Sequence, residues 1–427
     1  MITFVALLMF LQLGVGWEQS TLLSALLTLP WVLKSFVRAK IRQIGHFVWQ
    51  LRAMELCMAA LLVALAFCFT DRTSTQWLVF LCLFVLCLLC AAHELVARMY
   101  YERMLRPRWQ RYYNSWKMFI SQSTVILTYG VMIMGVGFLE VFYHNRRNAI
   151  ELSWSMAVYV LAGIYLLLVV YNCFALRSPS FSPRTPRGVE TRETLLTAVR
   201  AEVHIIDRII QKPHWLAVVL CLTMLLLPQA LMFHTRVLYF IGSRAQGGLA
   251  ASLQWIGLAQ GTVGVIAFST ALALGHWLQS RHNSKHPCRL YLICALMLGL
   301  SPLVYYFLTW LQPTTLFPLC VAAFLAQFFF GFGLNCTLPF VRYISGERYR
   351  STINYLYIPL ISFVMLIPMA ISGWLVAQLG FEHFFLIDSL LALPAWAAAY
   401  GGWKITREFN QGSLIHKTIQ VYKAHNE

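Results

Sequence analysis

Acidic residues are scarce. Asp and Glu supply 16 of 427 positions against 33 Lys and Arg, and charges of both signs make up 11% of the chain. A soluble globular domain carries about 25%, so this chain has too few charges to cover a water-facing surface. Polar stretches are short as well. The longest runs from about Arg177 to Lys212, and no stretch is long enough to build a soluble catalytic domain. The eleven cysteines lack zinc-ligand flanks. Most of them, such as Cys57, Cys87, Cys173 and Cys294, lie inside apolar runs and read as small hydrophobes. There is no nucleophile motif and no phosphate loop. His282, His286 and Cys288 sit in a basic loop without an acidic partner. No metal or cofactor is expected, and the chain does not read as an enzyme.

What is present is apolar length: 59% of residues are hydrophobic. Twelve apolar stretches can be drawn, at 1–16, 20–38, 51–70, 76–104, 117–142, 153–176, 214–240, 251–279, 289–311, 316–344, 352–379 and 383–404. All but the first are long enough to cross about 30 Å of hydrocarbon as a helix. Lys and Arg collect in every second gap and in the tail, and the opposite side keeps only Arg72, Arg146, Arg147, Arg236 and Arg244. That bias of roughly five to one places the basic gaps in the cytoplasm by the positive-inside rule. The net charge of +17 therefore borders membrane spans, which points to anionic headgroups and away from nucleic acid.

The spans divide six and six. We expect an N-terminal bundle over 1–176, a cytoplasmic linker over 177–212, a C-terminal bundle over 213–404 and a cytoplasmic tail over 405–427. The linker opens on Ser178-Pro179-Ser180-Phe181-Ser182-Pro183 and then turns helix-compatible, with Leu195, Leu196, Val199, Val203 and Ile206 at three-to-four spacing along the membrane surface. The first stretch lacks a basic flank and a cleavage site, so it reads as a truncated helix rather than a signal peptide. Six plus six helices about a basic linker describe an all-α membrane protein with the major facilitator superfamily fold. Substrate in that architecture sits at the midplane between the halves.

Motifs along the chain point further. Leu29-Pro30-Trp31-Val32-Leu33-Lys34, Ala92-His93-Glu94-Leu95, Ala322-Ala323-Phe324-Leu325-Ala326-Gln327 and Ile371-Ser372-Gly373-Trp374 together resemble the AmpG-like permeases and the related acetyl-CoA transporters. The resemblance implies a carrier of peptidoglycan fragments with protons, or of acetyl-CoA, in a bacterial inner membrane with both termini of the complete protein cytoplasmic. It departs from the family after Lys34, where Val37, Ala39 and Arg42 replace a Trp-x-Pro-x-x-Asp run. It also departs at Pro228-Gln229 and Gln327, where the family carries ionisable groups.

An ionisable group within a span is costly and asks for a reason. Glu94, deep in the fourth span, is the first candidate for a titrating or substrate-contacting acid. His93 is its neighbour, and Glu55 opens the third span. Glu94 has Lys34 or Arg52 as possible structural partners. Lys34 and Arg342 are candidates for gates. Gln229, His234 and Arg236 share the seventh span, where Arg236 either holds an anion or marks the outer interface. Gln260, Gln327, Asn335, Asn354 and Tyr355 complete the expected cavity wall. Glu140 and Asp388 read as water-exposed near the outer surface. These residues predict a secondary transporter of a small polar solute that bears amide or sugar groups or a negative charge. It would work by alternating access, coupled to protons, as a monomer in the bilayer. A carrier-fold sensor without transport, or a membrane-embedded transferase, are the alternatives.

Overall fold

A computed structural model describes residues 2–34, 46–70, 76–105, 107–176, 207, 210–282, 287–345 and 350–407. In it α1 is Ile2–Gln12. α2 is Trp17–Leu26 with a further helical stretch over 29–34. α3 is Phe47–Thr70, α4 is Gln76–Met104 and α6 is Ala149–Ala175. α7 is Trp215–Ile241, α9 is Pro287–Leu311 and α10 is Leu316–Gly333, prolonged by a 3₁₀ turn and Leu338–Ser345. Two helices carry a π-helical turn: α5 (Pro107–Val125, Ile126–Val131, Met132–Phe142) and α8 (Leu253–Ile256, Gly257–Val263, Gly264–His282).

Arg350–Leu390 forms one helical run interrupted at Gly380, whose φ of 72° is open to glycine and strained for other residues. Helix 350–379 is α11, and α12 continues from 381 to 407. The expected linker helix and the segment 408–427 lie outside the described residues.

Among the described residues, nine stretches are long and apolar enough to span a membrane. The last, Tyr357–Arg407, is 51 residues long and folds back at Gly380. α1, at 11 residues, is shorter than a crossing. α6 is the most peripheral span, with 22% of its apolar window buried; Leu167 and Phe174 point outward, where lipid would lie. Lipid is as apolar as these side chains, so helix association rests on packing and small residues.

The cores show how the halves meet. One end, the basic end, holds residues 34, 104, 107, 176, 345 and 350, and the other, the far end, holds the turns at 13–16, 142–149, 242–252 and Gly380. The largest buried cluster belongs to both halves: Phe4, Leu8, Phe69 and Trp154 join Tyr239, Phe240, Tyr305 and Phe385. Toward the basic end the cores separate. One holds Phe47, Leu51, Leu95 and Met99 of α3 and α4; another holds Leu222, Leu298, Phe340 and Ala399 of α7–α12.

Two crossings tie the far end. In the first, the π turns of α5 and α8 meet, and a Cβ on Gly261 would stand 2.5 Å from the Gly130 nitrogen. In the second, α2 lies against α11: a Cβ on Gly373 would meet the Trp17 carbonyl at 2.5 Å, and Thr21 Oγ1 donates to the Ala370 carbonyl at 3.4 Å.

The linker returns to the C-terminal half at a fixed anchor. Lys212 Nζ donates to the carbonyls of Tyr343 and Ile344, each at 2.6 Å, and Tyr343 Oη donates to the Pro213 carbonyl. Burial pulls the Lys212 ammonium below the ordinary lysine pKa.

Candidate functional site

Between the halves lies a cavity of about 720 Å³. The N-terminal half contributes Ile2 and Thr3 of α1, Thr28 and Trp31 of α2, His93 of α4, and Ser121, Thr124 and Val125 of α5. The C-terminal half contributes Phe233 of α7 and Ile361, Ser362, Met365 and Met369 of α11. Thr28 and Trp31 lie in the last turns of α2 before the basic end, and the far end is closed by the crossings above. The cavity thus sits between mid-bundle and the basic end. Its wall mixes two aromatic rings, thioethers and scattered hydroxyls around one imidazole, the pattern of a small-molecule site with few polar anchors.

Behind that imidazole is a charged cluster built from four helices. His93 and Glu94 are consecutive on α4, so they diverge by about 100° around the helix. His93 Nε2 lies 3.0 Å from Glu55 Oε1 on α3. Asn172 Nδ2, in the last turn of α6, donates to the same oxygen at 2.9 Å. Glu55 Oε2 is buried without a hydrogen-bond partner. When Glu55 is ionised, His93 must present its Nε2 proton to it. Glu94 faces the other way, toward α2, where its Oε2 is 2.5 Å from Lys34 Nζ. The Lys34 side chain is 7% exposed and that of Glu94 33%. The cation is therefore the buried member of the pair, and the carboxylate reaches water.

Of the two partners open to Glu94 from the sequence, the structure selects Lys34. Arg52 is used elsewhere: it donates to the carbonyls of Cys173 at 2.7 Å and Leu176 at 2.9 Å, closing the C-terminus of α6.

The structure brings His93, Glu55, Glu94 and Lys34 together and sets the expected amide wall apart from the cavity. Gln229 Nε2 donates to the Leu298 carbonyl at 2.8 Å and packs α7 on α9. Gln260 Nε2 donates to Tyr305 Oη at 2.7 Å. Gln327 lies against Gly264, and Asn335 Nδ2 donates to the Phe332 and Leu272 carbonyls, joining α10 to α8. Gln229, Gln260 and Asn335 each donate across a helix contact, which explains their place in an apolar span without a solute, although Gln260 Oε1 is buried without a partner. The side chains of Arg342, Asn354 and Tyr355 lie outside the described residues.

His234 is fully buried, edge-on to Phe4. Arg236 is not at an interface with water: it is 4% exposed, with its guanidinium over the rings of Phe4 and Phe233. Asp388, expected near water, is 1% exposed and neither carboxylate oxygen has a hydrogen-bond partner.

Sequence reasoning missed Asn172 and the cavity hydroxyls. Asn172 stands close to the end of a span, where a polar residue needs no explanation. Thr28 and Thr124 return their hydroxyls to the Ala25 and Ile120 carbonyls, at 2.8 and 2.9 Å, so they enter an apolar helix at little cost and leave no signal.

Compared with solved structures, the chain has the fold of the major facilitator superfamily. It is similar to the nucleoside transporter NupG (D323A mutant) at 14% identity, with a TM-score of 0.60 and 94% of each chain covered. It is similar to a bacterial homologue of the human peptide transporters PepT1 and PepT2 at 12% identity, with a TM-score of 0.61 and 95% of each chain covered. The xylose transporter XylE from E. coli, in a partially occluded inward-open conformation, matches at 11% identity and a TM-score of 0.56, over 91% of this chain and 87% of the other. No protein-family model matches the sequence. No curated protein matches it significantly.

Proposed function

We propose that the chain is a secondary transporter that moves a small polar solute by alternating access, with protons coupled through the α3–α4 cluster. The observation that carries this reading is the cavity shared by both halves, with His93 on its wall and Glu55 directly behind. A proton entering from the cavity meets His93 first. Protonated His93 forms a full ion pair with Glu55, and neutral His93 keeps only the hydrogen bond from its Nε2–H beside that from Asn172. Glu94 is the second titrating group: protonating it frees Lys34 of its counter-ion, which changes the contact between α2 and α4. Because α2 also forms the far-end crossing with α11, a charge change at Lys34 bears on the closure of that end.

The solute class follows the resemblance to AmpG-like permeases: a peptidoglycan fragment, or another solute with sugar and amide groups. The cavity rings of Trp31 and Phe233 suit a sugar face, and Thr28, Thr124 and Ser362 suit its hydroxyls. In this reading the basic loops face the cytoplasm across a bacterial inner membrane, the cavity lies toward that side, and the protein acts as a monomer of two bundles, 1–176 and 213–404.

The test is uptake of labelled anhydro-muropeptide into proteoliposomes, with and without an inward proton gradient, for wild type and Glu94→Gln. Gradient-dependent accumulation that disappears in the variant is the expected result. Correctly folded protein that takes up no muropeptide under either condition rejects that solute. Binding without flux across a wider set of solutes rejects transport in favour of a carrier-fold sensor.

A further inference from the structure

We propose that Arg236 is the binding site for a negatively charged group on the solute, a carboxylate or phosphate, and that the carrier is therefore selective for anions. The inference rests on the transporter reading above and adds the sign of the solute's charge.

Arg236 lies on α7, four per cent exposed. Its guanidinium carbon is 4.5 Å from the centre of the Phe4 ring on α1 and 5.1 Å from that of Phe233. No carboxylate among the described residues is within ion-pair distance, and Nε is buried without a hydrogen-bond partner. The other buried ionisable group described near the far end of α12, Asp388, is itself unpartnered and so does not serve as its counter-ion. The ion pairs of the N-terminal half are internally matched, Lys34 with Glu94 and His93 with Glu55. Among the described residues, Arg236 is the buried cation left without an ion-pair partner. Ring faces return only part of the cost of taking a guanidinium out of water, and a buried charge with no partner is strongly unfavourable.

The surroundings are arranged as donors. Tyr129 of α5 stacks on the same Phe4 ring at 5.3 Å, and its hydroxyl is buried without a partner. Tyr305 of α9, with Tyr129, is in electrostatic reach of Arg236, and its hydroxyl is supported from behind by Gln260 Nε2. A guanidinium and two phenols, without a carboxylate among them, match the needs of an anion. The site is also close to the cavity. Phe233 lines the cavity and caps Arg236, and its ring stands 4.3 Å from that of Phe4. One layer of aromatic rings therefore separates the guanidinium from the solute path. Phe4 belongs to the N-terminal half and Phe233 to the C-terminal half, so relative movement of the halves changes that layer.

The test uses defined acids and their neutral counterparts. Purified full-length protein is compared as wild type, Arg236→Met and Arg236→Lys. In the absence of solute, Arg236→Met is expected to raise the unfolding temperature, because it removes an unpaired buried charge; a lowered temperature shows a structural partner and overturns the inference.

Binding is then read by thermal shift with matched pairs: N-acetylmuramate and N-acetylglucosamine, glucose 6-phosphate and glucose, lactate and lactamide. Wild type is expected to bind the acid of at least one pair about tenfold more tightly than its neutral mate. Arg236→Met should lose that preference and Arg236→Lys should keep part of it. A preference for neutral solutes, an acid preference that survives Arg236→Met, or no binding of any acid overturns the inference. If a neutral solute is accumulated by wild type and by Arg236→Met alike, anion selectivity falls while transport stands. If no solute is taken up or exchanged, the transporter reading falls with it.

Discussion

Replacing Glu94 with Gln removes the counter-ion of a lysine whose side chain is 7% exposed. At the 2.5 Å of this pair two unit charges attract by about 7 kcal/mol at an effective dielectric near 20, which sets the ceiling for the pair. The two members are not equivalent. Without Glu94, Lys34 must stay charged and unpaired among helices or give up its proton, at a cost of about 3 kcal/mol. Without Lys34, as in Lys34→Met, the carboxylate is one-third exposed and can hydrate, so the loss is about 1 kcal/mol. The double variant has no charge left to bury and should fall within about 1 kcal/mol of wild type. The cycle then closes with a coupling of about 3 kcal/mol. Equilibrium unfolding by SDS in bicelles, followed by tryptophan fluorescence, measures all four proteins. The order expected is wild type, then Lys34→Met close to the double variant, then Glu94→Gln lowest. Equal losses from the two single variants, or a coupling below about 0.5 kcal/mol, would refute the assignment of Lys34 as the buried member.

Three further outcomes follow from the same geometry. Glu55→Gln keeps an oxygen for Asn172 and removes the charge facing His93, so proton-driven accumulation should fall at least about tenfold while solute exchange without a gradient continues. Parallel assays in the same proteoliposomes separate the two. Gly261→Ala places a Cβ against Gly130 and the Tyr129 carbonyl, so it should part α5 from α8 at the far end; a cysteine reporter at that crossing should become more accessible to thiol reagents than in wild type. Lys212→Met removes both bonds to the end of α10 and should lower stability by about 1–3 kcal/mol in the same SDS titration, with the transport rate per folded molecule unchanged.

The features legible in the sequence are those with a large energetic signature. Alternating Lys and Arg mark the two faces because loop charge sets topology. Glu55, His93, Glu94 and Lys34 stand out because ionisable groups in apolar spans are costly. Their partners are not legible: Lys34 and Glu94 are far apart in the chain, and only the folded arrangement shows that Arg52 caps α6 instead. The amides mislead for a different reason. Gln229, Gln260 and Asn335 bond equally well to a solute or to a neighbouring helix, and composition does not separate the two. The outward assignment of Asp388 fails because distance from the span's centre is not access to water, and α12 turns that residue into the bundle. The π turns leave only faint traces, the glycines at 130, 257 and 261.

Those turns have a consequence for how the protein can vary. A π turn takes up one more residue than the α-helix around it, within a single widened turn. Deleting one residue within Ile126–Val131 would therefore restore an unbroken α-helix with the faces on either side nearly in register, Ser121 and Thr124 still toward the cavity and Gly137 still against α8. What such a deletion would remove, there or in Gly257–Val263, is the widened turn that brings Gly130 and Gly261 together. In the straight helices a one-residue gap rotates the face by about 100°. Changes of length are therefore better tolerated at these two places than elsewhere in the same helices.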